Sequence, residues 1–228
     1  MSIKELSIPD QIEFNLIELK KWEVLDTIWN KIITVIEWEI SDREKWNLKT
    51  FESSIYHIDK IKSEVNTLLA IFDIKELDLI LDEININDNF WEYCRNNWSQ
   101  LRELYDFEWF EKVDLYRWNQ IEKDFNWSKY KFNLWFCWPK ADCLFHNQHN
   151  FIEIHTNIAW KWFMQKSLTG KNDWTDQLIE TIWLMPWSSH KTFNIEWEKE
   201  ENWNPKYPFH RWLWGSTWNI WLAIEKYV

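Results

Sequence analysis

Short apolar runs separated by polar, turn-like segments dominate the hydrophobic pattern of this 228-residue chain. The runs are rich in β-branched and aromatic residues, which favour strands. They include residues 31–36, 66–72, 131–134, 151–155 and 220–224. Because turn-like punctuation recurs between them, without long helical periods, the pattern predicts an all-β protein of the sandwich or barrel type.

A polar stretch with weak periodicity interrupts this pattern and divides the chain. We predict a first β domain over residues 14–85, a connecting and partly helical segment over 86–129, and a second β domain over 130–228. The apolar content of the chain is sufficient for a sizeable core.

The charge balance excludes several classes of partner. The net charge is -11 and the pI is about 5.1, whereas binding to nucleic acid or to an anionic membrane needs a local excess of Lys and Arg. No window reaches the length of apolar residues that spans a bilayer, and the first residues lack a signal-peptide pattern. We therefore expect a cytoplasmic protein that binds neither nucleic acid nor membranes, with its three cysteines reduced.

Glycine and tryptophan occur in unusual numbers. The chain has 2 glycines and 22 tryptophans, although Gly makes up about 7% of ordinary proteins. Many tryptophans stand beside Asn, Lys or Pro, in turn contexts where the chain needs a residue that adopts positive φ, which is usually Gly. We hypothesise that most of them stand for glycine, as happens when UGA codons that the source organism reads as Gly are translated as Trp. Trp221, inside an apolar run, is the best candidate for a genuine tryptophan.

Histidines are concentrated in the second half, where five of the six lie after residue 145. If residues 149–155 form a strand, alternation directs His149, Glu153 and His155 to one face. Two imidazoles and a carboxylate then converge, and His190 from a facing strand would complete a site for a divalent transition metal. The isolated His210 is expected to be an exposed or satisfied core residue, as is His57.

The spacing of these residues resembles that of the cupin family. Three residues separate His149 from Glu153, and six separate Glu153 from Trp160, as in the His, Glu and Gly of the first cupin motif if Trp160 is read as Gly. The chain departs from that motif at His146, which two residues separate from His149 where the family has one.

A second stretch matches the other cupin motif. Trp187, also read as Gly, precedes His190 by two intervening residues, and three more separate His190 from Asn194, which are the family's Gly, His and Asn. The resemblance implies a double-stranded β-helix, the cupin jelly-roll barrel, over about residues 130–226.

By this resemblance the metal ligands are His149, Glu153 and His190, together with either His146 or His155. Strand alternation favours His155, whereas the order of the motif favours His146. The metal would be a divalent transition ion, with Fe, Mn, Ni, Co and Zn all admissible.

A fainter resemblance covers the first domain. The run 19–25 and the sequence Glu37-Trp38-Glu39 look like the entry strand and the first turn of a cupin if Trp22 and Trp38 are read as Gly. No histidine or carboxylate pair occupies the ligand positions there. The resemblance therefore implies a two-barrel protein with one metal-free copy.

A cupin-like site implies a metal-dependent enzyme that acts on a small organic molecule, with dioxygenase, isomerase and lyase chemistry all open. The alternative is a non-catalytic protein that binds or senses a small ligand such as a sugar or an organic acid. Gln165, Lys166 and Tyr207 are candidate substrate contacts because they lie near the motifs in the sequence. A homodimer formed through barrel edges is compatible with such a fold.

Overall fold

The structure is a computed structural model that describes residues 3–8, 12–27, 31–42, 47–56, 59–74, 96, 99–100, 115–117, 120–139, 141–147, 149–171, 173, 175–190, 207–214 and 219–227. Strands dominate these ranges, which confirms the predicted all-β class. Within them, no helix is long and apolar enough to cross a membrane.

The chain divides into two compact units, Met1–Ile84 with Trp187–Lys191, and Asn85–Pro186 with Thr192–Val228. The first unit contains the strands β1 (Ile3–Ile8), β2 (Ile12–Leu19), β3 (Val24–Thr27), β4 (Lys31–Glu37), β5 (Glu39–Asp42), β6 (Asn47–Lys49), β7 (Ser53–Tyr56), β8 (Asp59–Lys62) and β9 (Thr67–Ile74). The second contains β10 (Ser99–Gln100), β11 (Leu115–Arg117), β12 (Ile121–Phe125), β13 (Ser128–Cys137), β14 (Ile152–Ala159), β15 (Trp162–Ser167), β16 (Leu178–Leu184), β17 (Phe209–Trp214) and β18 (Asn219–Tyr227).

Strand pairing in the first unit is nested. Antiparallel pairs form between β2 and β9, β3 and β8, β4 and β7, and β5 and β6. Along the sequence, each pair lies between the two strands of the pair before it. This nested order is the topology of a jelly roll. The pairs separate into the sheets β1-β2-β9-β4-β7 and β3-β8-β5-β6, and the predicted jelly-roll fold is confirmed here.

The core of the first unit follows from strand alternation. Ile33 and Val35 of β4, with Leu69 and Ile71 of β9, form one buried cluster with residues of the other sheet, which include Ile61 of β8. Because alternate side chains of a strand point to the same face, these apolar positions of the two sheets meet in one layer. Ile32 of β4 and Phe72 of β9, which point to the other face, are buried as well.

The second unit also has two sheets. The larger has the order β10-β11-β13-β18-β14, with β12 paired to β13, and the smaller has the order β16-β15-β17. Single bridges join Asp142 to Leu213 and His146 to His210, which attaches the segment before β14 to β17. Most of the predicted connecting segment 86–129 lies outside the described residues, and its described parts include β10, β11 and β12; its helical content stays a prediction.

The inner layer of the second unit mixes apolar and polar side chains. Aromatic residues dominate its buried cluster, in which Trp162 and Trp221 are almost fully buried. His155 packs edge-on against both, with ring centroids 5.6 and 6.5 Å away. The face of β14 that carries Glu153 and His155 is thus directed at this core, which positions the site described next.

Candidate metal centre

Three histidines from two segments of the chain meet in the second unit. They are His146 and His149, which precede β14, and His210 in β17. One potential ligand atom of each lies within 4.8 Å of those of the other two. The Nε2 atoms of His149 and His210 are 3.2 Å apart, although the residues are separated by 61 positions in the sequence. The fold therefore creates a cluster that local spacing does not reveal.

Backbone pairing holds two of the rings side by side. The N–H of His146 donates to the carbonyl oxygen of His210 at 3.0 Å, and the N–H of His210 donates to the carbonyl oxygen of His146 at 2.9 Å. Residues that exchange both hydrogen bonds project their side chains on the same side of the ladder. Their ring centroids are 4.6 Å apart, and the ring of His149 lies 5.2 Å from His146 and 4.9 Å from His210.

Hydrogen bonds to carbonyl groups fix the tautomers of these two rings. Nδ1 of His146 lies 3.0 Å from the carbonyl oxygen of Leu144, and Nδ1 of His210 lies 2.9 Å from that of Pro208. A carbonyl oxygen only accepts, so each Nδ1 carries the proton and each neutral ring keeps a lone pair on Nε2. The same arrangement commonly orients histidines that bind a metal through Nε2.

The third ring has a conflict that a cation would resolve. The buried Nδ1 of His149 has no hydrogen-bond partner among the described residues and lies 4.0 Å from Oε2 of Glu153. A proton on Nε2 of His149 donates to Nε2 of His210 at 3.2 Å, but it leaves the Nδ1 lone pair directed at the carboxylate. A proton on Nδ1 instead leaves the Nε2 lone pairs of His149 and His210 facing each other at 3.2 Å. A cation held by the Nε2 atoms satisfies the second arrangement, so the residues present fit a divalent metal.

The electrostatic state of the three rings also suits metal binding. Burial lowers the pKa of His146, lowers that of His149 to about 4 despite the attraction of Glu153, and lowers that of His210 well below its usual value. Metals bind the neutral imidazole. All three rings are therefore already in the binding form at neutral pH.

Glu153 and His155 adjoin this group. Burial alone raises the pKa of Glu153, but the neighbouring imidazoles of His155 and His149 outweigh it and bring the pKa well below the usual range. Oε1 of Glu153 lies 3.3 Å from Nε2 of His155. An ionised carboxylate thus stands next to the three histidines, where it can balance the charge of a cation or bind it directly.

A second buried carboxyl group lies across the strand pair. Glu225 of β18 is the direct partner of Glu153, and burial together with Glu153 raises its pKa to about 7. It accepts hydrogen bonds from Nδ2 of Asn133 at 2.6 Å and from the hydroxyl of Tyr227 at 2.7 Å. Because two neighbouring buried carboxylates repel each other, the ionised Glu153 makes Glu225 keep its proton to a higher pH.

The predicted strand over 149–155 begins only at Ile152. Alternation therefore applies to Glu153 and His155, but the prediction that it carries His149 to the same face is wrong. His149 lies in the turn that precedes the strand and meets Glu153 from there.

The predicted substrate contacts take different positions. Tyr207 is buried in the site, where its hydroxyl accepts a hydrogen bond from the backbone N–H of Glu153 at 2.6 Å and its ring lies 4.8 Å from that of His149. Lys166 is the cross-strand partner of His210, and Gln165 is that of Arg211. Gln165 therefore projects from the opposite face, where its Oε1 accepts two hydrogen bonds from Arg211, at 3.0 and 2.9 Å.

Of the two remaining motif residues, His190 is among the described residues and Asn194 is not. His190 is buried and belongs to the first unit through the segment Trp187–Lys191, in which the hydroxyl groups of Ser189 and Ser53 are 2.5 Å apart. Asn194 lies outside the described residues. The ligand role of His190 stays a prediction, whereas His210, which sequence reasoning treated as isolated, is a member of the histidine group.

No protein-family model matches the sequence, and no curated protein matches it. Among solved structures, the chain is similar to a cupin 2 conserved barrel domain protein from Leptotrichia buccalis, with 10% identity, coverage of 99% of this chain and 88% of that chain, and a TM-score of 0.34. It is also similar to an oxalate decarboxylase of Bacillus subtilis, with 13% identity, coverage of 99% and 72%, and a TM-score of 0.36. A study of DMSP lyases supplies a third structure, with 9% identity, coverage of 42% and 38%, and a TM-score of 0.29.

Proposed function

We propose that the second unit binds a divalent transition metal through Nε2 of His146, His149 and His210, with the Glu153 carboxylate beside them. The observation that carries this proposal is the facing pair of Nε2 atoms, 3.2 Å apart, in a group whose buried His149 Nδ1 has no hydrogen-bond partner within the described part of the chain. Three protein nitrogens leave coordination positions open, which is typical of catalytic rather than structural metal sites.

The function that this site supports best is that of a metal-dependent enzyme acting on a small organic molecule. When bound, the metal supplies a Lewis acid for a carboxylate, carbonyl or hydroxyl oxygen of the substrate. The ring and hydroxyl of Tyr207 close one side of the site. The donor set admits Fe, Mn, Ni, Co and Zn, and it is compatible with dioxygenase, isomerase and lyase chemistry alike.

We propose further that the chain is a cupin-like protein of two barrels, of which the first is a metal-free copy. The nested strand pairing of the first unit supports this reading. The backbone supports it too, because all four tryptophans that the motif comparison reads as glycine, Trp22, Trp38, Trp160 and Trp187, have positive φ. Those are conformations in which Gly is the ordinary residue.

Metal analysis of single variants tests the proposal. After purification and dialysis against Mn, Fe, Ni, Co or Zn, we expect one equivalent of one of these metals in the parent chain, and loss of that metal in His146→Ala, His149→Ala and His210→Ala. The matched variant His190→Ala should keep it. Loss of metal in His190→Ala with retention in His210→Ala would overturn the ligand set, and absence of metal from the folded parent would overturn metal binding altogether. Circular dichroism identifies any variant that fails to fold.

Turnover distinguishes an enzyme from a binding protein. We expect the metal-loaded chain to convert at least one member of a panel of small organic acids and sugars, and His149→Ala to lose that turnover. Metal-dependent binding of a panel member without any conversion would favour the non-catalytic alternative.

A further inference from the structure

Five tryptophans of this chain occupy backbone conformations that suit glycine. Among the described residues, eight that are not glycine have positive φ, and five of these are tryptophan. The φ angles are 68° at Trp22, 70° at Trp38, 69° at Trp127, 60° at Trp160 and 59° at Trp187. Gly170, in the same region at 66°, provides the comparison within the chain. A side chain in this region brings Cβ too close to the following carbonyl oxygen.

The hairpin between β12 and β13 gives the sharpest case. Phe125 pairs with Ser128, so only Asn126 and Trp127 form the loop, and both have positive φ, 46° and 69°. Two positive φ angles in a two-residue loop define a type I′ turn, for which Asn-Gly is the preferred sequence. The observed pair is Asn-Trp, and the Trp127 side chain is fully exposed at 106%, so no packing compensates for the unfavourable backbone.

A second turn also requires a residue with positive φ. The N–H of Glu23 donates to the carbonyl oxygen of Lys20 at 2.9 Å, which closes a four-residue turn with Trp22 at its third position. Positive φ at the third position is the mark of a type II turn, where Gly or Asn is required. Trp22 is 55% exposed and Trp38 is 54% exposed, so neither has a core position that would account for an indole.

At the end of β14 the conformation is fixed by neighbouring side chains. The carbonyl oxygen of Trp160 accepts hydrogen bonds from the side-chain amides of Asn157 and Asn219, the latter at 3.2 Å. Both amides are buried. Side chains of two strands of the second unit, β14 and β18, thus hold the carbonyl group of residue 160, and these contacts do not involve the side chain at that position.

We infer that the native residue at positions 22, 38, 127, 160 and 187 is glycine, and that UGA codons read as glycine in the source organism have been translated as tryptophan. The surplus of tryptophan and the deficit of glycine in the composition then have the same cause, the translation of glycine codons as tryptophan. The φ angles identify the affected positions individually, and they do so independently of the proposed metal site. Asn126 belongs to a type that tolerates positive φ. Phe51 and Leu144 share this conformation: Phe51 is the third residue of a turn that the N–H of Glu52 closes on the carbonyl oxygen of Lys49 at 2.9 Å, and the N–H of Leu144 donates to Oδ1 of Asp142 at 2.8 Å.

Peptide mass spectrometry of the protein isolated from its own cells tests this inference, together with the codons of its gene. We expect glycine at all five positions, each encoded by UGA. The peptides that contain Gly170 and Phe51 serve as internal controls, because their codons are read in the ordinary way and their masses must agree with the printed sequence. Tryptophan at any of the five positions, or a UGG codon there, would overturn the inference. Neither result depends on whether the histidine group binds a metal.

Discussion

Replacement of Trp127 by glycine should stabilise the second unit. The left-handed conformation costs a side-chain-bearing residue roughly 1–2 kcal/mol. Trp127 is fully exposed, at 106%, so its removal forfeits no buried apolar surface. Glycine loses more backbone entropy on folding, about 0.5–1 kcal/mol relative to alanine. The expected net gain in the free energy of unfolding is therefore about 1 kcal/mol, which corresponds to a rise of roughly 2–4 °C in Tm for a chain of this size.

Urea and thermal unfolding of three variants isolate the cause. Trp127→Gly relieves the conformation, whereas Trp127→Ala removes the same indole but keeps Cβ, and it should gain little. Trp221→Gly is the opposite control, because Trp221 is 1% exposed within a strand and its loss should cost about 3–5 kcal/mol. Equal stability of Trp127→Gly and Trp127→Ala would refute the argument from φ.

Three further predictions concern the site. The pKa of His149 falls from 6.5 to about 4 on folding, so the folded metal-free protein binds fewer protons than the unfolded chain in this window, and acidification from pH 6.5 to 4 should cost about 3 kcal/mol through this residue. His149→Gln should remove that part of the pH dependence in urea titrations; an unchanged pH profile would contradict it. The pKa of Glu225 rises from 4.5 to about 7, so its contribution is present below pH 4.5 and lost as pH rises to 7. Glu225→Gln should therefore gain stability over the parent at pH 8, by up to about 3 kcal/mol, and none at pH 4; an equal effect at both pH values would show that titration is not the cause. Addition of Zn²⁺ at 100 times its Kd should raise the free energy of unfolding by about 2.7 kcal/mol, an effect that a chelator reverses and that His210→Ala lacks; an equal shift in His210→Ala would place the metal elsewhere.

Continuous apolar runs and the alternation of faces along a strand carried most of what the sequence could predict. Runs at 31–36 and 220–224 coincide with strands β4 and β18, because a strand buried between neighbours must be apolar along its length. The same alternation correctly paired Glu153 with His155 on one face of β14. These are local properties, which depend on residues close in sequence.

The members of the histidine group come from distant parts of the sequence, and sequence reasoning missed one of them, His210. His210 meets His149 only because β17 is bridged to the segment before β14, across 61 residues. Nothing in the spacing of residues around His210 signals that pairing. Motif spacing identified His149 and Glu153 but could not supply the partner from another strand.

The strand order of the larger sheet in the second unit has a consequence for how the chain reaches its fold. In the larger sheet of the second unit, β18 lies between β13 and β14 and pairs with both, and its Glu225 is bonded to Asn133 across 92 residues. Contacts between residues so distant in sequence form slowly, because closing the long intervening loop costs conformational entropy before the contacts can stabilise the structure. During synthesis β13 and β14 therefore emerge from the ribosome without the strand that joins them. Their exposed edges need protection until residues 219–227 arrive, so assembly of this sheet should be the slow and aggregation-prone stage of biogenesis.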